Sequence, residues 1–121
     1  MELAGDPIAL RPHFSIECLR TAAATILCVT GEVDIATAPR LAEGIRRCRD
    51  AGASVIVDLE GVEFMDASGL NVLVSATQSF EAGAFSVTPG SPQVQRLFEI
   101  TGSNTLLHIV SPAAPAGRNA A

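Results

Sequence analysis

The segment that most constrains the fold is the nearly continuous apolar run at residues 54–59, which reads Ser-Val-Ile-Val-Asp-Leu. A short run without alternation of apolar and polar residues is typical of a strand that is buried on both faces. Such a strand needs a covering layer on each side, and 121 residues are enough for one such core. We therefore expect a central strand covered by helices within a single domain.

The periodicity of the flanking segments predicts that strands and helices alternate. The expected order is strands over 14–19 and 24–30, a helix from Thr37 to a stop at Gly52, a strand over 54–59, a helix from near Ser68 to Gly83, a strand over 84–88, a helix from Ser91 to Gly102, and a short strand over 106–110. The brief link between the first two strands predicts antiparallel neighbours. The second strand is expected to stop at Gly31, before a loop over 32–36, and the Thr37 side chain is expected to cap the first helix.

This order predicts an α/β fold, with a mixed, mainly parallel sheet of four to five strands joined by right-handed crossover helices. The domain is expected to span residues 13–110. An N-terminal arm over 1–12 and a flexible, Pro/Ala/Gly-rich tail over 111–121 lack a packing pattern.

Charge and hydropathy argue against nucleic-acid and membrane partners. The net charge is −5, and arginine supplies every cation because the chain contains no lysine. Arg46, Arg47 and Arg49 cluster on what we expect to be the solvated face of a helix. No apolar run approaches the roughly 18 residues of a membrane span, and the acidic N-terminus does not resemble a secretory signal. We expect a cytoplasmic protein.

The three cysteines, Cys18, Cys28 and Cys48, are widely spaced and lack a CxxC pair. This spacing predicts neither a disulfide framework nor a zinc site. Cys28 and Cys48 fall at apolar-periodic positions, where we expect small core residues. No cofactor or metal is predicted.

The sequence offers no catalytic pair, so an enzyme is not expected. Without lysine, a phosphate-binding GK[ST] loop and lysine-based chemistry are excluded. A serine hydrolase would need a base beside Ser68, and a contact with His108 stays open at this level. A response-regulator receiver would use Asp58 as its phosphoacceptor. Such a domain is expected to have an acidic pair after its first strand and a late lysine, and this chain has neither.

Ser68 lies at the corner where the central strand is expected to lead, through an acidic loop, into the second helix. A serine there suits an ordinary helix cap, and it equally suits a hydroxyl that is modified or contacts a partner. The residues alone leave both interpretations open. Gly69 is unfavourable in a helix, which predicts a close backbone approach or a tight turn.

Three motifs resemble those of the anti-sigma factor antagonists in the STAS domain family, over roughly residues 14–110. Residues 30–39 read TGEVDIATAP, residues 57–70 read VDLEGVEFMDASGL, and residues 91–102 read SPQVQRLFEITG. The first is similar to the family's loop and helix start, the second to its phosphoacceptor signature, and the third to its late helix. Their order and separations make the resemblance specific.

The resemblance implies a partner-switching protein with Ser68 as phosphoacceptor. The unphosphorylated form would bind an anti-sigma factor with serine kinase activity and free a sigma factor, and a phosphatase would reverse the modification. ATP and magnesium would belong to the kinase. The implied partner-binding residues are Asp34, Thr37, Glu63, Asp66, Ala67, Ser68, Gly69 and Asn71.

Three residues depart from the family pattern: Ala67 replaces a frequent serine, Asn71 replaces a small residue, and Ser103 replaces an apolar one. These differences leave the details of docking and the identity of the partner open. The alternative is a STAS scaffold or subunit of a larger signalling or transport-associated assembly, in which Ser68 is only a cap.

Overall fold

The computed structural model describes residues 14–111, which form four strands and three α-helices. The elements are β1 (Ser15–Arg20), β2 (Thr25–Val33), α1 (Ala38–Asp50), β3 (Val55–Met65), α2 (Ala67–Ser79), β4 (Phe85–Val87) and α3 (Pro92–Thr101), followed by a short 3₁₀ turn (Ser103–Thr105). The predicted arm (1–12) and all but the first residue of the predicted tail (111–121) lie outside the described residues.

The four strands form one sheet in the order β1-β2-β3-β4. β1 pairs antiparallel with β2, whereas β2, β3 and β4 are mutually parallel. The helices α1 and α2 connect the parallel strands and pack against each other, and α3 packs against β3. The predicted mixed, mainly parallel α/β fold is confirmed, as is the antiparallel pairing of the first two strands.

β3 is the central strand of the hydrophobic core, as its apolar sequence predicts. Val55, Val57 and Leu59 are almost completely buried, and α2 packs Leu70 and Leu73 into the same cluster. Burial of each such side chain contributes about 1.5–3 kcal/mol. This apolar contact holds the N-terminal end of α2 against the sheet.

Both central strands run further than the sequence predicted. β2 continues past Gly31 to Val33, and β3 continues to Met65 through the segment expected to be an acidic loop. Two register shifts, between Cys28 and Thr30 and between Gly31 and Glu32, each insert one extra residue into β3. Gly31 has a positive φ of 95° beside the second shift. The glycine therefore marks a β-bulge rather than the end of the strand.

The final strand is shorter than predicted. Only Ile109 bridges to the sheet, through an isolated parallel pairing with Val87, and the 3₁₀ turn precedes it. The third helix is confirmed at both ends. Ser91 accepts a hydrogen bond from Val94 N, and Gly102 adopts the left-handed conformation with φ 75°.

The predicted solvated arginines lie along the exposed side of α1. Arg46 and Arg47 both pair with Glu43, and Arg49 pairs with Asp50. Hydrogen bonds from the two Glu43 partners lower the pKa of that carboxyl below its usual range. No helix within residues 14–111 combines the length and apolar character required to cross a membrane.

Candidate functional site

β2 and β3 end side by side, which brings together the two segments that the sequence singled out. Val33 pairs with Met65, and the next residue, Asp66, donates its backbone N–H to Val33 O at 3.1 Å. The carboxyl ends of parallel strands face the same edge of the sheet, where loops carry binding groups in open α/β folds. The Asp34 turn and the N-terminal end of α2 therefore lie next to each other.

The turn between β2 and α1 is held by reciprocal hydrogen bonds of Asp34 and Thr37. Asp34 Oδ1 accepts from the backbone N–H groups of Ala36 and Thr37, at 3.0 and 3.1 Å. Thr37 Oγ1 accepts from Asp34 N and donates to Glu32 O, both at 2.9 Å. These bonds fix the turn while Ile35 remains 79% exposed on it.

The predicted capping role of Thr37 is wrong in detail. Thr37 occupies the N-cap position of α1, but its side chain makes no capping hydrogen bond. Its own φ and ψ are helical, and its hydroxyl is directed back toward Glu32 and Asp34. The hydroxyl stabilises the preceding turn instead of the helix.

Asp66, not Ser68, caps α2. The carboxylate Oδ1 of Asp66 accepts from Ser68 N at 2.8 Å and from Gly69 N at 3.4 Å. Asp66 is extended, as an N-cap residue should be, and the helix begins at Ala67. The interpretation of Ser68 as an ordinary cap is therefore wrong.

Ser68 is the second residue of α2 and is partly exposed. Within residues 14–111 its hydroxyl forms no hydrogen bond, whereas its backbone N–H donates to Asp66. The first turn of a helix carries the positive end of the helix dipole. A reachable hydroxyl at this point is chemically suited to accept an anionic group.

Gly69 brings the first turn of α2 against the ends of β2 and β3. A Cβ at position 69 would lie 2.6 Å from Val33 Cγ1 and 2.8 Å from Met65 Cγ. Both neighbours are fully buried, so neither has space to move aside. The predicted close approach is confirmed, and Gly69 sets the position of Ser68 from beneath.

Gln93 is a positioning residue that sequence reasoning missed. Its side chain accepts from Met65 N and donates to Met65 O, both at 2.9 Å, from the first turn of α3. This pair of bonds satisfies the backbone where β3 ends, one residue before the α2 cap. No local pattern identifies the contact, because 28 residues separate the partners.

Four carboxylates surround this edge of the sheet, and we refer to Glu32, Asp34, Glu63 and Asp66 as the acidic rim. Glu63 is the extra residue of the second register shift, between the paired Val62 and Phe64, and is exposed. These four carboxylates favour a partner surface that carries basic residues.

The eight predicted partner-binding residues do not all have equivalent positions. Six border the edge with some exposure: Asp34, Thr37, Glu63, Asp66, Ala67 and Ser68. Gly69 is buried, so it acts through packing. Asn71 is exposed and lines a groove of about 380 Å³ between α1 and α2, together with Arg46 and Arg49. Asn71 thus extends the candidate surface toward α1.

The residues considered for other chemistry have structural partners elsewhere. Asp58 is only 4% exposed and accepts hydrogen bonds from Glu60 N and Thr88 Oγ1. His108 Nδ1 shares a hydrogen bond with Ser86 on β4 at 2.9 Å, so this imidazole engages a serine other than Ser68. Neither arrangement resembles the receiver or hydrolase site that the sequence left open.

Comparison with known proteins gives matches in both sequence and fold. The family model of the STAS domain matches residues 15–113. An anti-sigma-B factor antagonist from Staphylococcus aureus (strain NCTC 8325 / PS 47) is 34% identical over 84 residues, which covers 67% of this chain and 78% of the relative.

Two solved structures share the fold. An anti-sigma factor antagonist from Mycobacterium paratuberculosis matches with a TM-score of 0.77 at 23% identity, covering 89% of this chain and 93% of the other. The Bacillus cell fate determinant SpoIIAA, solved in its phosphorylated form, matches with a TM-score of 0.63 at 22% identity, covering 88% and 99%.

Proposed function

This chain belongs to the STAS domain family, and we propose that it is an anti-sigma factor antagonist that changes partners through phosphorylation of Ser68. The unphosphorylated form binds an anti-sigma factor that has serine kinase activity, and this binding frees a sigma factor for transcription. Phosphorylation of Ser68 abolishes the complex, and a phosphatase restores the binding form.

The observation that carries this proposal is that Asp66 caps α2 and leaves the Ser68 hydroxyl without a capping role. Asp66 satisfies the first free N–H groups of α2, so the helix does not need the Ser68 hydroxyl as a cap. The hydroxyl is partly exposed and makes no hydrogen bond within the described part of the chain. Modification of Ser68 therefore removes no stabilising hydrogen bond from the fold.

The transfer itself requires no catalytic group from this chain. The Ser68 oxygen forms a bond to the γ-phosphorus of ATP while the bond from that phosphorus to the β,γ-bridging oxygen breaks. ADP leaves, and the hydroxyl proton passes to a base of the kinase. Magnesium and the transition-state donors belong to the kinase.

Charge explains why the phosphorylated form dissociates. A phosphoryl group adds about −1.5 to −2 charges at pH 7. Within the domain, the positive end of the α2 dipole offsets part of this charge. At the interface, the phosphate adds bulk and lies beside Asp66 in the acidic rim, where it repels carboxylates of the partner. The switch acts on the complex, whereas the fold persists.

The names of the relatives agree with this function. The 34% identical protein from S. aureus is an anti-sigma-B factor antagonist, and the SpoIIAA structure of the same fold holds a phosphorylated chain. For this chain, we infer the same class of partner from family membership together with the position of Ser68.

The first experiment measures the modification directly. We expect that incubation with ATP, magnesium and the cognate anti-sigma kinase adds the mass of one phosphoryl group. Ser68→Ala should abolish the addition, whereas Ser75→Ala, on the exposed side of the same helix, should not affect it. Phosphorylation that persists in Ser68→Ala would exclude Ser68 as the acceptor.

The second experiment separates an interface effect from a folding effect. We expect Ser68→Asp to weaken binding to the anti-sigma factor at least about tenfold, or ~1.4 kcal/mol. Its urea unfolding midpoint should match that of Ser68→Ala. An aspartate variant that binds like the wild type, together with no phosphoryl addition, would favour the scaffold alternative. Affinity that falls only in proportion to unfolding would contradict the charge argument.

A further inference from the structure

The aspartates that follow β2 and β3 hold their turns in the same way. Asp34 Oδ1 accepts hydrogen bonds from the backbone N–H groups two and three residues later. Asp66 Oδ1 accepts from the backbone N–H groups two and three residues after it as well. In each turn the residue directly after the aspartate is exposed, namely Ile35 in the first turn and Ala67 in the second.

The strand pairing places these two turns side by side. Val33 and Met65 pair in parallel register, and Asp66 N donates to Val33 O at 3.1 Å. Paired strands lie about 4.8 Å apart, and consecutive Cα atoms lie about 3.8 Å apart. Two steps from Val33 to Ile35 and three from Met65 to Ser68 therefore separate their Cα atoms by at most about 24 Å. A standard interface buries about 800 Å² per partner, roughly 30 Å across, so it can cover both residues.

Ile35 is exposed on a turn that its neighbours hold in place. At 79%, it is the most exposed large hydrophobic side chain within residues 14–111, and it does not belong to the hydrophobic core. Thr37 Oγ1 supports the turn by accepting from Asp34 N and donating to Glu32 O. Binding costs less ordering entropy when the contacting segment is already fixed. Ile35 is therefore an apolar contact that is preorganised for a partner.

The surroundings of Ile35 have the composition of a protein interface. Ile35, Ala36 and Ala67 are exposed and apolar, and Ile35 and Ala67 each directly follow a carboxylate of the acidic rim. An apolar centre with a polar border is typical of protein interfaces. Within the described residues, the Oδ2 atoms of Asp34 and Asp66 accept no hydrogen bond. Each Oδ2 is thus available to an arginine or lysine of a partner.

We propose that Ile35 is the apolar anchor through which the anti-sigma factor docks on this edge of the sheet. The anti-sigma factor would present an apolar pocket for Ile35, bordered by basic side chains that face Asp34 and Asp66. A few well-buried side chains supply most of the energy of a protein interface. This inference rests on the proposed function, because it names the contact that brings Ser68 to the kinase. The partner-binding residues implied by the resemblance do not include Ile35.

Stepwise shortening of Ile35 measures the apolar contribution. The probe is the anti-sigma factor that phosphorylates Ser68, and calorimetry measures its affinity. Each methylene that becomes buried changes affinity about fourfold. We expect Ile35→Val to weaken binding about fourfold and Ile35→Ala roughly 10- to 60-fold. Ile35→Thr has the shape of the valine variant but carries a hydroxyl, so it should weaken binding more than Ile35→Val does.

Ile100→Thr is the matched control. Ile100 is 71% exposed, near the C-terminal end of α3, and isolated exposed hydrophobic residues are common on protein surfaces. This control should bind as the wild type does, and an equal loss of affinity in Ile100→Thr and Ile35→Thr would overturn the proposal. The Ile35 variants should keep the wild-type urea unfolding midpoint, because the side chain lies outside the core.

Calorimetry requires no dye on a thiol, which matters because all three cysteines are accessible to some degree. Cys18 is exposed, and the prediction that Cys28 and Cys48 are core residues is wrong in degree, since both are only half-buried. The heat-capacity change of binding gives a further signature of apolar burial. It should be less negative for Ile35→Thr than for the wild type.

Phosphorylation kinetics separate this inference from the proposed function. Ile35→Thr should raise the KM of the kinase for this chain and leave kcat unchanged, because the anchor binds the ground state and the transition state equally. If the wild type binds and is phosphorylated on Ser68, but Ile35→Thr has the same affinity and KM, the anchor is refuted and the proposed function stands. A wild-type chain that neither binds nor accepts phosphate refutes both.

Discussion

Substitution of the two helical glycines by alanine should change stability in opposite directions. Gly69, in the first turn of α2, would direct its new Cβ to within 2.6 Å of Val33 Cγ1 and 2.8 Å of Met65 Cγ. Gly44, within α1, would meet only Ile16 and Leu27, at 3.7 and 4.0 Å, which is ordinary contact. Both substitutions therefore replace glycine with a better helix former, and they differ in how the new Cβ packs.

The magnitudes follow from these distances. Alanine in place of glycine gains up to about 1 kcal/mol in a helix interior. Overpacking a rigid core costs about 1–3 kcal/mol. We expect Gly44→Ala to raise the free energy of unfolding by ~0.5–1 kcal/mol, and Gly69→Ala to lower it by a net ~1–2 kcal/mol.

Urea unfolding followed by circular dichroism measures both values, and a constant m-value supports the comparison. Binding to the anti-sigma factor should also weaken in Gly69→Ala, because Ser68 moves when the first turn is displaced. Equal stabilisation by the two substitutions would refute the close packing of α2 against the ends of β2 and β3.

Three further predictions concern the support of the site and the surface of α1. Asp66→Ala should lower the free energy of unfolding by about 0.5–2 kcal/mol through loss of the α2 cap, while Asp66→Asn retains the cap; chemical denaturation of both variants tests this difference. Gln93→Ala should cost about 1–3 kcal/mol because the backbone N–H and C=O of Met65 each lose a partly buried hydrogen bond, and hydrogen exchange should increase at Met65 before it increases in β1. Two arginines lower the pKa of Glu43 in the folded chain. Ionised Glu43 therefore stabilises the fold above its unfolded-chain pKa of about 4.3, and this stabilisation is lost as the pH falls through its lower folded-state pKa. Glu43→Gln should therefore unfold at lower urea than the wild type at pH 7, with a smaller difference at pH 3, and an equal difference at both pH values would contradict the ion pairs.

The site could be predicted from sequence only where the signal was local. The resemblance proposed Ser68 and Asp34 as candidates, and the poor helix propensity of Gly69 predicted its close approach. The choice between Ser68 and Asp66 as the cap could not be made in this way, because both residue types cap helices well. The backbone conformation decided it, since Asp66 is extended and Ser68 is already helical.

The acidic tract after the central strand shows a second limit. Its polarity favoured a loop, but the tract continues β3 because β2 supplies hydrogen-bond partners as far as Val33. Bulges allow exposed glutamates to alternate with the buried Val62 and Met65. Strand length thus depended on a neighbour about thirty residues earlier.

By itself, the sequence determined the order of the elements, the burial of β3 and the ends of α3, because periodicity and capping depend on residues within one or two turns of each other. Only the tertiary structure decided that Gln93 supports Met65 and that Gly69 lies against Val33. These contacts join residues that are distant in the chain, and their geometry depends on how the sheet aligns its strands and how closely each helix packs against it.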